Sequence, residues 1–310
     1  MQKYTIIDLG SNSFHMLTVA KSDDGFFVAS KHKRKVRLAA GLDAQNNLNQ
    51  ATMIAGWDCL QYFRDTLNDI QPVDIIITAT AALRLAKNNR TFIKKAEAIL
   101  KYPIKLISGI EEAQTIYRGC ALSEKLKAEK VKGEKTEQPL LIIDIGGAST
   151  ELVIGQGEYV HLAESLEMGC VTWLNRYFSD TKITENSFQN AIDAAKSVIQ
   201  PITEKYKAQG WLLCMGASGT IQAVSEVSNE QAIADAIDLD TLYNIQQQCI
   251  DCQRIDMLNI VGLKASRVPV FVSGLAILIA LFELLSIERI KKSNGALREG
   301  LISILFARNE

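Results

Sequence analysis

The sequence has no excess of charge of either sign. Across 310 residues, 34 Lys and Arg stand against 35 Asp and Glu, a formal net charge of −1. No global field therefore draws in nucleic acid, and a polyanion must be held by local positive charge and backbone N–H groups. Paired cysteines are also missing. The six cysteines, at positions 59, 120, 170, 214, 249 and 252, lie among apolar neighbours and read as buried thiols of a reduced cytoplasmic protein. Cys249 and Cys252 form a single CxxC with no second pair or histidine cluster beside it, which leaves zinc and redox roles without a partner set. No basic-then-apolar signal region opens the chain, which starts directly on a strand. The longest apolar stretch, Val268 to Leu285, has membrane-span length but carries Pro269, Ser273, Gly274 and Glu283. It reads as a strand (Val268 to Val272), a glycine turn and a buried helix (Leu275 to Leu285), so no membrane partner is expected.

What the chain does have is one short pattern written twice. Ile6-Ile7-Asp8-Leu9-Gly10-Ser11-Asn12-Ser13 returns 136 residues later as Ile142-Ile143-Asp144-Ile145-Gly146-Gly147-Ala148-Ser149. Each copy is an apolar run, an Asp, a small polar loop and a second apolar run (Met16 to Ala20; Leu152 to Ile154), which reads as strand, tight loop, strand. A single copy is an ordinary hairpin; two copies at domain spacing point to two domains facing each other over one cleft. A length of 310 residues and 47% hydrophobic content supply two cores.

The order of elements is α/β in both halves. Tyr4 to Leu9, Phe14 to Ala20 and Phe26 to Leu38 read as strands. Helix Gln50 to Leu67, strand Val73 to Ile77, helix Thr91 to Leu100, strand Ile104 to Ile107 and a helix from about Gly109 follow. Residues 123–139 are polar and mark a linker between a first domain, 1–122, and a second, 140–295; the helix over Gly295 to Phe306 is expected to return to the first domain. The second half repeats the plan with strands Leu140 to Ile145, Leu152 to Gly155 and Tyr159 to Leu166. Helices Cys170 to Tyr177 and Ser187 to Tyr206, strand Trp211 to Met215, the loop Gly216-Ala217-Ser218-Gly219-Thr220 and helix Ile221 to Val227 complete it.

A phosphate needs several converging N–H donors, and Gly10, Gly146 and Gly147 remove the Cβ atoms that would obstruct it. Ser11, Asn12, Ser13, Ser149 and Thr150 add side-chain donors. Asp8 and Asp144, at strand ends, are placed to meet a hydrated Mg²⁺, and Glu151, directly after the second loop, to coordinate the ion or orient water; His15 takes the same place in the first copy. Neither loop has P-loop spacing. The segment 216–220 runs from strand into helix. It reads either as a further phosphate site at Gly216, Ser218 and Gly219 or as a helix entry capped by Ser218. Ser108 and Glu111 make a capping box, which gives Glu111 a structural task and leaves Glu112 without one. The helix N-terminus favours an ionised Glu112, and such a group is either a base for an attacking water or a solvated surface carboxylate. Arg84, after a strand end, is a phosphate clamp or a surface residue at a helix start. Lys31, Lys33, Lys35 and Arg37 alternate and share one strand face, which is either plain solvated surface or the local positive field a polyanion requires.

The segments DLGSNSFHM (8–16), TATAALRLAKN (78–88), SGIEEA (108–113), DIGGASTELVIG (144–155), GASGT (216–220), SGLAIL (273–278) and GALREGL (295–301) resemble, in order and over essentially the whole chain, the Ppx/GppA phosphatases. The resemblance implies two RNase-H-like domains of the actin/sugar-kinase/heat-shock ATPase superfamily around an interdomain cleft, and a Mg²⁺-dependent hydrolysis of phosphoanhydrides. It implies Glu112 as catalytic base, Asp144 at the metal with Glu151 close by, and phosphate contacts from Gly10 to Ser13, Gly146 to Ser149 and Arg84. It implies pppGpp as substrate, with polyphosphate as the alternative; an ATP-dependent kinase and a non-catalytic (p)ppGpp sensor are further readings. A homodimer is an expectation of the same kind. Ala148 in place of a third glycine, KRKVRLAAGL (33–42) and MGCVTW (168–173) resemble the guanosine pentaphosphate branch. Longer members continue into an HD-like helical region that this sequence lacks, which favours short substrates over long polyphosphate.

Overall fold

The structure, a computed structural model, describes residues 1–22, 25–130, 138–233 and 236–309. Strand β1 (Lys3–Leu9) turns through the first Gly/Ser loop into antiparallel β2 (Ser13–Ser22), and β3 (Gly25–Lys35) returns along β2. A short 3-10 turn at Leu38–Gly41 leads to α1 (Gln50–Ile70), whose cap Asn49 accepts a hydrogen bond from the Thr52 N–H. Next come β4 (Asp74–Ala79), parallel to β1, then α2 (Ala81–Leu85), α3 (Asn89–Leu100) and the two-residue β5 (Lys105–Leu106). The sheet order is β3-β2-β1-β4-β5.

Helix α4 (Gly109–Lys130) carries the chain into the polar segment, of which residues 131–137 lie outside the described residues. The second sheet opens with β6 (Leu140–Ile145), β7 (Thr150–Gln156) and β8 (Tyr159–Leu166). Then follow α5 (Cys170–Tyr177), α6 (Glu185–Gln209), β9 (Leu213–Ala217), α7 (Ser218–Glu230), α8 (Leu239–Asp251), α9 (Val268–Leu285), β10 (Lys291–Lys292) and α10 (Leu297–Ala307). Its order, β10-β9-β6-β7-β8, repeats the plan of the first sheet: an antiparallel meander of three strands, then two parallel ones. This is the doubled RNase-H-like architecture.

Both sheets are covered on both faces, which is why their central strands are apolar almost without alternation. In β1, Ile7 and Leu9 pack toward α1 and α3, whereas Tyr4 and Ile6 point the other way. That other side is shared. Ile116, Tyr117 and Cys120 of α4 and Leu297, Leu301 and Leu305 of α10 form one cluster with Tyr4 and Ile6 of the first sheet and Ile142 and Val153 of the second. α4 packs on β7 and β8, and α10 on β1 and β4, so the two helices lie between the sheets. They cross in backbone contact: a Cβ on Gly119 would fall 2.0 Å from the Ala296 carbonyl oxygen, and one on Gly300 1.9 Å from that of Thr115.

One predicted element is overturned. Val268 to Val272 is not a strand followed by a glycine turn; the whole run is the single helix α9. Pro269 sits in the first turn, where a missing N–H costs nothing, and Gly274 lets the helix approach Thr220, whose Oγ1 would stand 2.7 Å from an added Cβ. The helix is apolar all round because α5, α6, α7 and α8 surround it. Among the described residues it is the one helix long and apolar enough to cross a membrane, and it is buried in the second core. The supposed loop 216–220 is also corrected: Gly216 and Ala217 belong to β9, and Ser218 already begins α7.

Candidate active site

Each sheet delivers an Asp to the end of its first strand, followed by its loop. The two loops meet. A Cβ on Gly147 would lie 2.9 Å from Ser11 Cβ, so the glycine is required by the opposite loop. Gly10 and Gly146 answer a different need: added Cβ atoms would lie 2.8 Å from the Ser13 carbonyl oxygen and 3.0 Å from that of Ser149, within each loop's own turn. Loop closure and loop contact thus constrain all three. Neighbouring elements anchor the loops from behind. Ser11 Oγ accepts from the Ala82 N–H at 3.1 Å, and the Gly146 and Gly147 carbonyls accept from the Cys170 and Val171 N–H groups at 2.9 Å.

Between the sheets lies a cavity of about 510 Å³. Gly10 to Ser13, Gly146, Gly147, Ser149, Ser218 and Gly219 line it, together with Asp8, Glu112, Asp144 and Glu151. Three predicted phosphate contacts are not on its wall. Ala148 is buried against Cys170 and Val171. Gly216 is packed under Ile221 and Ile290, both within 3 Å of where its Cβ would be. The Arg84 guanidinium is occupied elsewhere, 2.5 Å from Glu112 Oε2, 3.2 Å from the Ile107 carbonyl and 3.8 Å from Glu151 Oε1. Ser218 does not cap α7, which has Ala217 at that position with no side-chain bond. Ser218 instead holds a left-handed backbone (φ 64°) and donates its hydroxyl to the Ile145 carbonyl at 2.8 Å, tying α7 to the second loop.

The capping box separates the adjacent glutamates. Ser108 Oγ accepts from the Glu111 N–H, and Glu111 Oε2 accepts from the Ser108 N–H, at 3.1 and 2.8 Å. Those bonds hold Glu111 down to about 2. Glu112, one residue on, is buried and faces the cavity. The sequence suggested that it stays ionised at the helix end; burial outweighs that effect and raises it to about 7, with Arg84 opposing and Asp8 and Asp144 adding to the rise. Asp8 and Asp144 are raised to about 7 and about 6, chiefly by desolvation, with the Arg298 charge opposing in both. Glu151 is raised well above the carboxylate range by burial and then by Glu112 and Asp144, although Ser149 and Ser165 donate to its Oε1 at 2.6 and 2.7 Å.

Opposite these carboxylates the wall is cationic. Lys31 and Lys33 of β3 line the cavity with Arg267, Lys292 and Arg298. Of the four alternating residues Lys31 and Lys33 therefore face the cleft, whereas Lys35 donates to the Ser266 carbonyl at 2.8 Å and Arg37 lies beyond β3, off the wall. Burial and the Arg267 and Arg298 charges lower Lys33 to about 8. His15 Nδ1 lies 2.9 Å from Arg298 Nη1, and burial next to that guanidinium lowers His15 to about 2, so the ring is neutral. Sequence reasoning missed Arg267, Lys292 and Arg298. They are distant in the chain, and only Arg298, inside GALREGL, carried a local signal. Arg267 rests on Gly219, where any Cβ would collide with its guanidinium at 1.9 Å.

Among the described residues no three His, Cys, Asp or Glu side chains stand close enough to form a closed metal cage. A hard divalent cation does not need one, since one or two carboxylates with substrate oxygens and water suffice. Asp8 Oδ1 and its register neighbour on β4, Thr78 Oγ1, are buried without a hydrogen-bond partner. That pair of unspent oxygens, beside two carboxylates whose charge burial disfavours, fits a cation.

Comparison with known proteins identifies the family. Residues 18–308 match the Ppx/GppA phosphatase family, and the chain belongs to it. The chain is 48% identical over 306 residues to the guanosine-5'-triphosphate,3'-diphosphate pyrophosphatase of Aeromonas hydrophila, covering 99% of this chain and 60% of that protein. It is 48% identical over 299 residues to the protein of the same name from Vibrio cholerae, covering 96% and 58%. The chain thus spans about 60% of the length of these relatives. An exopolyphosphatase from Cytophaga hutchinsonii superposes with a TM-score of 0.86 at 22% identity, over 99% of this chain and 98% of that one. The Ppx/GppA family member from Aquifex aeolicus gives 0.77 at 19%, over 100% and 99%. At such identities these two structures speak for the fold.

Proposed function

We propose that this chain hydrolyses the terminal 5′ phosphate of pppGpp, giving ppGpp and orthophosphate. The observation that carries the reading is the cleft itself: two Asp-bearing loops in contact, a buried Glu112 on one side and a wall of Lys31, Lys33, Arg267, Lys292 and Arg298 on the other. The relatives named pyrophosphatases of this nucleotide support the choice of substrate. The terminal phosphate lies between residues 10–13 and 146–149, and the cationic wall takes the remaining phosphates. Glu112, near 7, is matched to neutral pH as a general base for the attacking water, a role worth roughly 10²- to 10⁴-fold. Arg84 is a positioning residue, holding the Glu112 carboxylate by a 2.5 Å bond. Asp8 and Asp144, with Glu151 nearby, are the residues that would hold Mg²⁺; the ion supplies neutralisation of phosphate charge. Glu151 is steadied by Ser149 and Ser165 and balances Arg84 from the second sheet.

Short polyphosphate is a second substrate reading. It is favoured by the cavity wall, which among the described residues presents five cationic side chains and no Phe, Tyr or Trp ring for a base to stack on. Phosphate release measured in parallel from pppGpp, GTP and polyphosphates of several lengths tests both. The highest kcat/KM is expected for pppGpp. Release from none of them with Mg²⁺ present, or transfer of labelled phosphate to a small acceptor, would remove the hydrolase reading.

A further inference from the structure

A second cavity, of about 330 Å³, opens between the same two units. Arg84, Leu85, Ser108 and Ile110 line it from the first, and Glu164, Ser165 and Glu167 from the second. It shares Ala81 and Ser149 with the main cavity. The partition between them is the Arg84–Glu112 contact, and its two members face opposite ways: Glu112 lines the main cavity and Arg84 the second. Ser165, on the far side, reaches through to Glu151 on the near side at 2.7 Å. The interdomain cleft therefore passes the reacting loops and continues behind them.

The two spaces differ in charge. The main cavity carries five carboxylates, Asp8, Glu112, Asp144, Glu151 and Glu299, but also the five cations, and that cationic wall attracts polyphosphorylated anions. The second has one cation, Arg84, already paired with Glu112, and two carboxylates, of which Glu164 is 3.5 Å from Lys205 and Glu167 is exposed. An anionic substrate is drawn to the first and turned away by the second, whereas neutral water meets no such barrier. Displacement at phosphorus requires the nucleophile roughly in line with, and opposite to, the leaving oxygen. A substrate held along the cationic wall places its leaving group in the main cavity and fills the front approach.

We propose that the second cavity is the inlet for the attacking water, an inference that rests on the hydrolase reading. Water passes between Ile110 and Glu167, reaches the phosphate behind the Arg84–Glu112 contact, and gives up a proton to Glu112 as its oxygen bonds to phosphorus. The bond from phosphorus to the leaving diphosphate oxygen breaks, and that oxygen keeps the electron pair. The same passage admits other small neutral nucleophiles, so methanol entering by it would yield methyl phosphate in place of orthophosphate.

The test narrows and widens this passage at residues outside the catalytic machinery. Ile110→Trp and Glu167→Trp obstruct it from the two walls, and Ile110→Ala widens it. Each Trp variant is expected to lower kcat for pppGpp roughly threefold or more at unchanged KM. In aqueous methanol the share of product appearing as methyl phosphate should rise in Ile110→Ala and fall in Ile110→Trp, whereas a merely disturbed site would lower both products alike. A methyl phosphate share, zero included, that is the same for Ala, Ile and Trp at position 110 overturns the proposal. So does free phosphate that lags bond cleavage in Ile110→Trp, since the cavity would then be a product exit. If the unaltered chain releases no phosphate, the hydrolase reading itself fails; an active parent with indifferent variants removes the inlet alone.

Discussion

The two copies of the Asp-loop motif place different chemistry at the same register position. In the first sheet Asp8 pairs across the hairpin with His15; in the second, Asp144 pairs with Glu151. His15 is neutral and bonded to Arg298, and the lysines of the next strand extend that positive side. Glu151 is an acid buried among Ser149, Ser165 and the edge of Arg84. A duplicated backbone has thus been given one cationic and one anionic side. The difference teaches that the repeat shapes the cleft, while the unrepeated neighbours give its two sides opposite charge; on the proposed reading, they set which end of a phosphate chain is gripped and which end is attacked.

The largest effect should come from the residue with no counterpart in the repeat. Glu112→Gln keeps shape and removes the base, and kcat for pppGpp is expected to fall roughly 10²- to 10⁴-fold with KM nearly unchanged. A folded variant with near-normal turnover would end the mechanism. Exchanging the register partner comes next. His15→Glu makes the first copy resemble the second and places a carboxylate beside Asp8 and against Arg298. KM is expected to rise on the order of tenfold, an effect that weakens with added salt because it acts on the local field. Equal KM values in the two forms would show that the asymmetry is incidental.

A stability measurement compares the two Asp residues directly. Asp8 and Asp144 are raised to about 7 and about 6, so between the ordinary carboxylate range and those values the folded state binds more protons than the unfolded one. Their contribution is fully present below the ordinary carboxylate pKa and is lost as pH rises through about 6 to 7. Denaturant unfolding without divalent cations should therefore show stability declining over that window, and Asp8→Asn should flatten the decline by roughly 1–4 kcal/mol. Stability that rises with pH there would contradict the burial argument. The smallest effect is expected at the capping box, where Ser108→Ala should cost about 1 kcal/mol of stability and leave kcat within about twofold. A large loss of kcat would show that the Ser108 bond also sets the position of Glu112.

The repeat was legible because tight strand-loop-strand turns need glycine and small polar residues at fixed offsets, and both copies kept them. The separation of Glu112 from Glu111 was legible for a related reason: a capping box is a local hydrogen-bond rule, and it holds here. Helix α9 was misread because a glycine inside an apolar run looks like a turn until the neighbour that needs the space, Thr220, is known. Arg267 and Arg298 were missed because their roles depend on contacts with Gly219 and His15, far away in the chain. The raised pKa of Glu112 was not legible, since burial cannot be read from a helix position.

The glycine crossing of α4 and α10 has a consequence for how the site tolerates change. Glu112 stands on one of these helices and Arg298 on the other, and between them the nearest approach at Gly119 and Gly300 is to backbone carbonyls. The spacing between acid and cation is therefore fixed at a joint made largely of main chain, like the rivet of a pair of tongs. A single methyl at Gly119 or Gly300 would reset the jaws without touching either, so the calibration of the cleft is stored at glycines outside its wall.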